Sequence, residues 1–145
     1  MRTRRTLTKA GFSLVELAVV VVIIGVLAAF AVPRFRASVE RSKAAEAFNY
    51  LAAVQAAQER YHARQSTYAD DLDSLDIKLT TPKYFSVGTI SAGSTGDLED
   101  SWSLSLTRSG ASAGYGEYTV TFNEEGFDEE ESTIVDHSDI NPMQT

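Results

Sequence analysis

Residues 12–32 read FSLVELAVVVVIIGVLAAFAV, 21 residues with one charge, Glu16. About 20 consecutive apolar residues suffice for a helix to cross a bilayer, so this segment is long enough to span. Arg2, Arg4, Arg5 and Lys9 all precede it, and a basic flank of this kind stays on the cytoplasmic side while the remainder is exported. A secretory signal has a shorter apolar stretch with its cleavage site on the far side. Here the candidate scission lies before the apolar run, where Lys9, Ala10 and Gly11 give way to Phe12. Cutting there leaves the hydrophobic helix on the mature chain.

Glu16 is the residue that needs a reason. A carboxylate near the edge of an apolar span costs about 1–3 kcal/mol unless it is partnered, and a single-pass anchor gains nothing from it. A new amine on Phe12 would supply the cation. Parallel helices packed with a small axial offset would place one chain's amine against the next chain's Glu16, which gives both attraction and register. The plainer alternative is a signal anchor in which Glu16 reaches toward the headgroups.

KAGFSLVEL over residues 9–17, followed by a Val/Ile run, Gly25 and Pro33, resembles the N-terminal motif of type IV pilins and type II secretion pseudopilins. The resemblance covers about residues 9–35 and combines a glycine before the cut, an aromatic after it and a glutamate four residues further on. It implies that a prepilin peptidase cleaves between Gly11 and Phe12 and methylates the Phe12 amine, while Glu16 assists recruitment into a filament. It further implies that Gly25 and Pro33, both weak helix formers, bound a stretch that loosens on assembly. The implied partners are the peptidase, other pilin subunits, an inner-membrane assembly platform with its ATPase, and membrane lipid before assembly.

Outward from this segment, residues 34–65 are rich in Ala, Glu, Gln, Arg and Lys and lack Gly and Pro, which favours continued helix to about Arg64. Such a helix from Phe12 would be roughly 80 Å long. Ala44, Phe48, Leu51 and Val54 form an apolar stripe that can receive a sheet, with Glu40, Arg41 and Lys43 expected in solvent or against neighbouring subunits. STYADDLDSLDI, residues 66–77, places Tyr68, Leu72 and Leu75 at helical spacing and reads as a short helix or turn. Strands are expected at residues 84–90, 102–108 and 117–122. In the last two, Trp102, Leu104 and Leu106 alternate with Ser103, Ser105 and Thr107, and Tyr118, Val120 and Phe122 with Glu117, Thr119 and Thr121. One face packs and the other meets water. Glycine-rich joins at residues 91–96 and 109–116 fit an antiparallel meander, with a weaker fourth strand at Ile134 and Val135.

The expected fold is therefore α+β and pilin-like, a long N-terminal helix packed against a small antiparallel sheet. Its parts are a leader (1–11), a membrane and polymerisation helix (12–33), the periplasmic half of that helix (34–65) and a β-sheet domain with an acidic C-terminal segment (66–145).

The formal charge of −7 falls to −11 once the four leader cations are removed. From Asp97 onward there are twelve acids and one base, Arg108, which argues against a nucleic-acid groove there, because phosphates need cationic partners. The absence of cysteine excludes disulfides and thiolate chemistry. His62 and His137 lack zinc-site spacing and read as surface polar groups. Neither a nucleophile elbow nor a phosphate loop is present, so no enzymatic activity and no cofactor are expected. The acidic run holds weak calcium candidates, Asp128 and Glu130, but lacks an EF-hand pattern, and a solvated loop explains its composition. Three functional readings follow: a subunit of a type IV pilus-like filament serving adhesion, twitching or DNA uptake; a pseudopilin of a secretion system; and a monomeric membrane-tethered binding domain.

Overall fold

The structure is a computed structural model that describes residues 11–144. The chain divides into two compact units, Met1–Phe35 and Arg36–Thr145, and one helix, α1 (Leu14–Gln65), contributes to both.

Within the first unit, α1 is apolar all round, and its most hydropathic window is wholly exposed. Val and Ile are poor helix formers in water. In lipid, however, a helix satisfies every backbone group internally, and a helix apolar on all faces has that environment as its counterpart. Pro33 lies inside the helix, where its ring removes the N–H that would otherwise reach the Ala29 carbonyl.

In the second unit the α1 stripe is buried as expected at Ala44, Phe48, Leu51 and Val54, and it is wider than the sequence pattern indicated, adding Glu40, Ala47, Ala57 and Gln58. The sheet comprises β1 (Phe85–Val87), β2 (Ser103–Arg108), β3 (Thr119–Asn123) and β4 (Gly126–Phe127), an antiparallel meander in that order. Trp102, Leu104 and Leu106 are buried as their alternation requires, and Trp102 is fully enclosed beside Tyr68. Phe48 meets Phe122 edge-on at 5.8 Å and Phe127 at 4.8 Å, joining the helix to β3 and β4. Aromatic pairs of this geometry add about 0.5–1.5 kcal/mol beyond the area they bury.

Several local expectations are corrected. The first strand ends at Val87 instead of running through residues 84–90. Gly88 passes so close to β2 that a Cβ there would sit 2.8 Å from the Ser105 carbonyl oxygen. Pairing then resumes one residue out of step, at Ser91 opposite Ser103, as a bulge requires. Residues 66–77 form only one 3-10 turn, Leu72–Ser74, whose cap Asp71 accepts from the Asp73 N–H at 3.1 Å. Gln58 fixes the entry to this segment by bonding both the N–H and the C=O of Ala69, at 2.8 and 2.9 Å.

The expected strand at Ile134 and Val135 is instead a 3-10 helix, Thr133–Asp136, with Ile134 buried. Hydroxyls replace the missing strand: Ser132 Oγ accepts from the Thr121 N–H at 2.9 Å, and Thr133 Oγ1 accepts from the Thr119 N–H at 2.8 Å. This satisfies the β3 edge without a ladder. It also buries Thr121, which alternation had assigned to water.

Candidate functional site

Gly11, Phe12 and Ser13 precede α1, are not helical and are exposed; the leader cations at residues 2–9 lie outside the described residues. Ser13 Oγ accepts from the Val15 N–H at 3.3 Å, and Glu16 Oε2 accepts from the Ser13 N–H at 3.1 Å. This reciprocal arrangement is a capping box, S-x-x-E, which satisfies two of the donors a helix start leaves open. The spacing of Ser13 and Glu16 carries that signal in the sequence, where Glu16 was read only as an assembly residue. Phe12, Leu14 and Val15 are 81%, 85% and 71% exposed, so the carboxylate stands at the margin of an uncovered apolar surface. A Cβ at Gly25 would meet nothing within 4 Å, so no neighbour within the chain requires a glycine there.

The second unit contains a buried polar hub that the sequence reading did not identify. Glu40 and Arg108 are 0% and 1% exposed. Arg108 donates Nε to Glu40 Oε1 at 2.5 Å and Nη2 to Oε2 at 3.1 Å, and Tyr118 donates its hydroxyl to Oε1 at 3.0 Å. The remaining guanidinium donors reach the carbonyls of Tyr84, Ser109 and Ala111. One side chain thereby ties α1 to the start of β1 and to the β2–β3 loop. Burial alone would raise the Glu40 carboxyl, but hydrogen bonds from Arg108 and Tyr118 outweigh it and hold the group below the usual carboxylate range. The bond to Glu40 raises the Arg108 guanidinium, and burial followed by the Glu40 charge pushes the Tyr118 hydroxyl up.

Glu40, Arg41 and Lys43 are therefore not a solvated face. Glu40 is interior, Lys43 bonds Glu40 Oε2 at 3.3 Å, and Arg41 donates to the carbonyls of Pro142 and Gln144 at 3.5 and 3.0 Å. The physical reason is parity. Arg108 continues the inward series 102, 104, 106, so the sheet face that covers the helix carries a cation needing an anion opposite. That parity was the available signal.

The C-terminal segment, which has no cysteine, is held by side-chain packing and hydrogen bonds. Ile134 and Ile140 are buried, and Tyr115 donates to Asp139 at 2.5 Å, a bond that pushes the phenol up to about 12. Asp128 is occupied by its own loop: Oδ1 accepts from the N–H groups of Glu130 and Glu131, and Oδ2 from Asn123 Nδ2. Among the described residues no three His, Cys, Asp or Glu side chains gather as a metal site. His62 stacks on Tyr68 at 4.3 Å, and His137 meets Tyr115 and Tyr118 edge-on. At the end of α1, Arg60 and Arg64 converge on Asp76 at 2.8 and 3.1 Å, and their hydrogen bonds lower its carboxyl to about 2.

Residues 7–32 match the family described as the prokaryotic N-terminal methylation motif. The fimbrial protein EcpC of Eikenella corrodens is 36% identical over 86 residues, 59% of this chain and 56% of that protein. The type IV major pilin protein PilA of Myxococcus xanthus is 45% identical over 60 residues, 41% of this chain and 27% of its own length. The type II secretion system core protein G of Vibrio cholerae is 34% identical over 74 residues, 51% of each chain. The chain thus spans about half the length, or less, of the curated relatives it matches. No solved structure matches it. The chain thus carries the methylation motif at the head of an uncovered apolar helix, has an antiparallel sheet in its second unit, and is similar over part of its length to a fimbrial protein, a type IV pilin and a type II secretion protein.

Proposed function

We propose that the chain is a structural subunit of a type IV pilus-like filament, made as a precursor, cut by a prepilin peptidase after Gly11 and methylated on the Phe12 amine. The observation that carries this reading is Glu16, the one carboxylate of the uncovered apolar run at residues 12–32, inside the methylation motif. Its Oε2 caps Ser13, and its Oε1 makes no hydrogen bond among the described residues. A neighbouring subunit's amine can take the second oxygen while the cap persists. In the filament the apolar helices exchange lipid for one another, and Gly25 and Pro33 are where α1 loosens.

Before assembly the precursor sits in the inner membrane with its leader in the cytoplasm and its second unit outside, the orientation the leader cations favour. The subunit does no chemistry. Extraction is powered by the ATPase of the assembly platform, and the Asp128 carboxylate serves its own loop. A second reading, a pseudopilin in a secretion system, is favoured by the similarity to protein G of Vibrio cholerae.

Glu16→Ala tests the proposal in a mixed assembly with wild type. The variant should insert into membrane normally yet enter filaments at least about tenfold less often, since a desolvated ion pair that loses one partner costs several kcal/mol. Equal incorporation would refute the assembly role. Deleting the gene separates the two readings: loss of surface fibres supports a pilin, and loss of exported enzymes without loss of fibres supports a pseudopilin.

A further inference from the structure

The apolar run ends in Arg34, Phe35 and Arg36. Both guanidiniums are exposed, and neither joins an ion pair among the described residues. The acid one helical turn beyond Arg36 is Glu40, which is enclosed and held by Arg108. Residues 12–39 contain no acid except Glu16, at the opposite end of the run. Two cations therefore follow a long uncovered apolar surface without an ion-pair partner among the described residues.

Their depth is fixed by helix geometry. At about 1.5 Å per residue, Arg34 lies roughly 30 Å along α1 from Leu14 and Arg36 roughly 33 Å. The hydrocarbon layer is about 30 Å thick and about 40–45 Å with its headgroups. If Leu14 enters the hydrocarbon at one boundary, Arg34 emerges at the other and Arg36 stands in the phosphate layer. Phe35 lies between them and is 69% exposed, a ring placed at the boundary where aromatic side chains anchor. A guanidinium pairs with phosphate oxygens through two parallel N–H donors. Positions two apart on a helix point about 200° from each other, so the two arginines address different lipids.

We propose that Arg34 and Arg36 form a collar that grips phospholipid headgroups in the leaflet opposite the leader, with preference for anionic lipids, and so sets how deeply the subunit sits before it is extracted. This rests on the reading of the chain as a membrane-held subunit. The grip must be released for assembly, so the composition of that leaflet tunes how readily subunits leave it.

The test uses the full chain in bilayer discs of phosphatidylcholine alone or of an equal mixture with phosphatidylglycerol. Lipid retained on release into mild detergent is read by native mass spectrometry. Wild type should retain phosphatidylglycerol preferentially. R34Q/R36Q should insert with unchanged helicity but lose that preference on the order of tenfold, and R34K/R36K should keep part of it. Equal retention by wild type and R34Q/R36Q overturns the proposal, as does complete displacement of the lipid by inorganic phosphate. Unchanged lipid retention with lost co-assembly would assign the arginines to contacts with a second copy and likewise overturn it. Failure of wild type to insert at all would reject the membrane reading itself.

Discussion

Arg108→Met is the perturbation that tests most severely how the second unit is held together. The substitution preserves much of the side chain's length and apolar stem but removes every donor. It deletes the two bonds to Glu40 and those to the carbonyls of Tyr84, Ser109 and Ala111. Glu40 stays enclosed with only Tyr118 and Lys43 as donors. Removing one partner from a buried pair costs about 3–5 kcal/mol, against about 5–15 kcal/mol for a whole domain. At about 4 °C per kcal/mol for a domain of this size, the midpoint should fall by roughly 12–20 °C.

The pH dependence has a definite sign. In wild type the Glu40 carboxyl is lowered by its hydrogen bonds, so its stabilisation is present above the unfolded value near 4.5 and is lost as pH falls through the folded one. In the variant burial dominates and the folded value rises above the unfolded one, so a penalty exists at neutral pH and vanishes in acid. The gap between the two proteins must therefore narrow from pH 7 to pH 4. Trp102, the only tryptophan and fully enclosed, reports unfolding by its emission shift in urea, with the full chain in detergent. Replacing both members, Glu40→Leu with Arg108→Met, should cost no more than Arg108→Met alone, because the orphaned charge is gone. A cost below about 1 kcal/mol for Arg108→Met, or a gap that does not narrow in acid, would refute the argument.

Two further outcomes follow from groups at the margins of the same unit. Asp76→Asn should lower the midpoint at neutral pH, and the difference from wild type should close between pH 4 and pH 2, since a carboxyl held near 2 stabilises above its unfolded value of 3.8 and loses that effect as pH falls; a difference that persists at pH 2 contradicts this. Arg41→Met should speed carboxypeptidase trimming of residues 142–145 while the buried Ile140 and Asn141 halt it; trimming at the wild-type rate would show that the arginine does not hold the terminus.

What was legible in the sequence depended on whether a residue's environment follows from its own period. The stripe at Ala44, Phe48, Leu51 and Val54 and the alternation of β2 carry their burial in spacing and are found buried, and the apolar run at residues 12–32 is found as the uncovered start of the long helix. The misread features needed a partner from elsewhere. Glu40 lies on the buried face because Arg108 comes to meet it from 68 residues away. Thr121 is enclosed because Ser132 and Glu131 cover the β3 edge. The first strand is cut short by the approach of Gly88 to Ser105. Two signals were nonetheless readable and went unused: the parity of Arg108 with Trp102, Leu104 and Leu106, and the S-x-x-E spacing of Ser13 and Glu16. In the N-terminal segment the capping box gives Glu16 a local duty that coexists with its proposed role in assembly.

The central claim is that the leader is removed and the apolar helix kept, and the intact mass of the native protein, purified from cells with an active prepilin peptidase, tests it most directly. The account predicts a chain that begins at Phe12 and carries one methyl group on its amine. A chain that still contains residues 1–11 would contradict it.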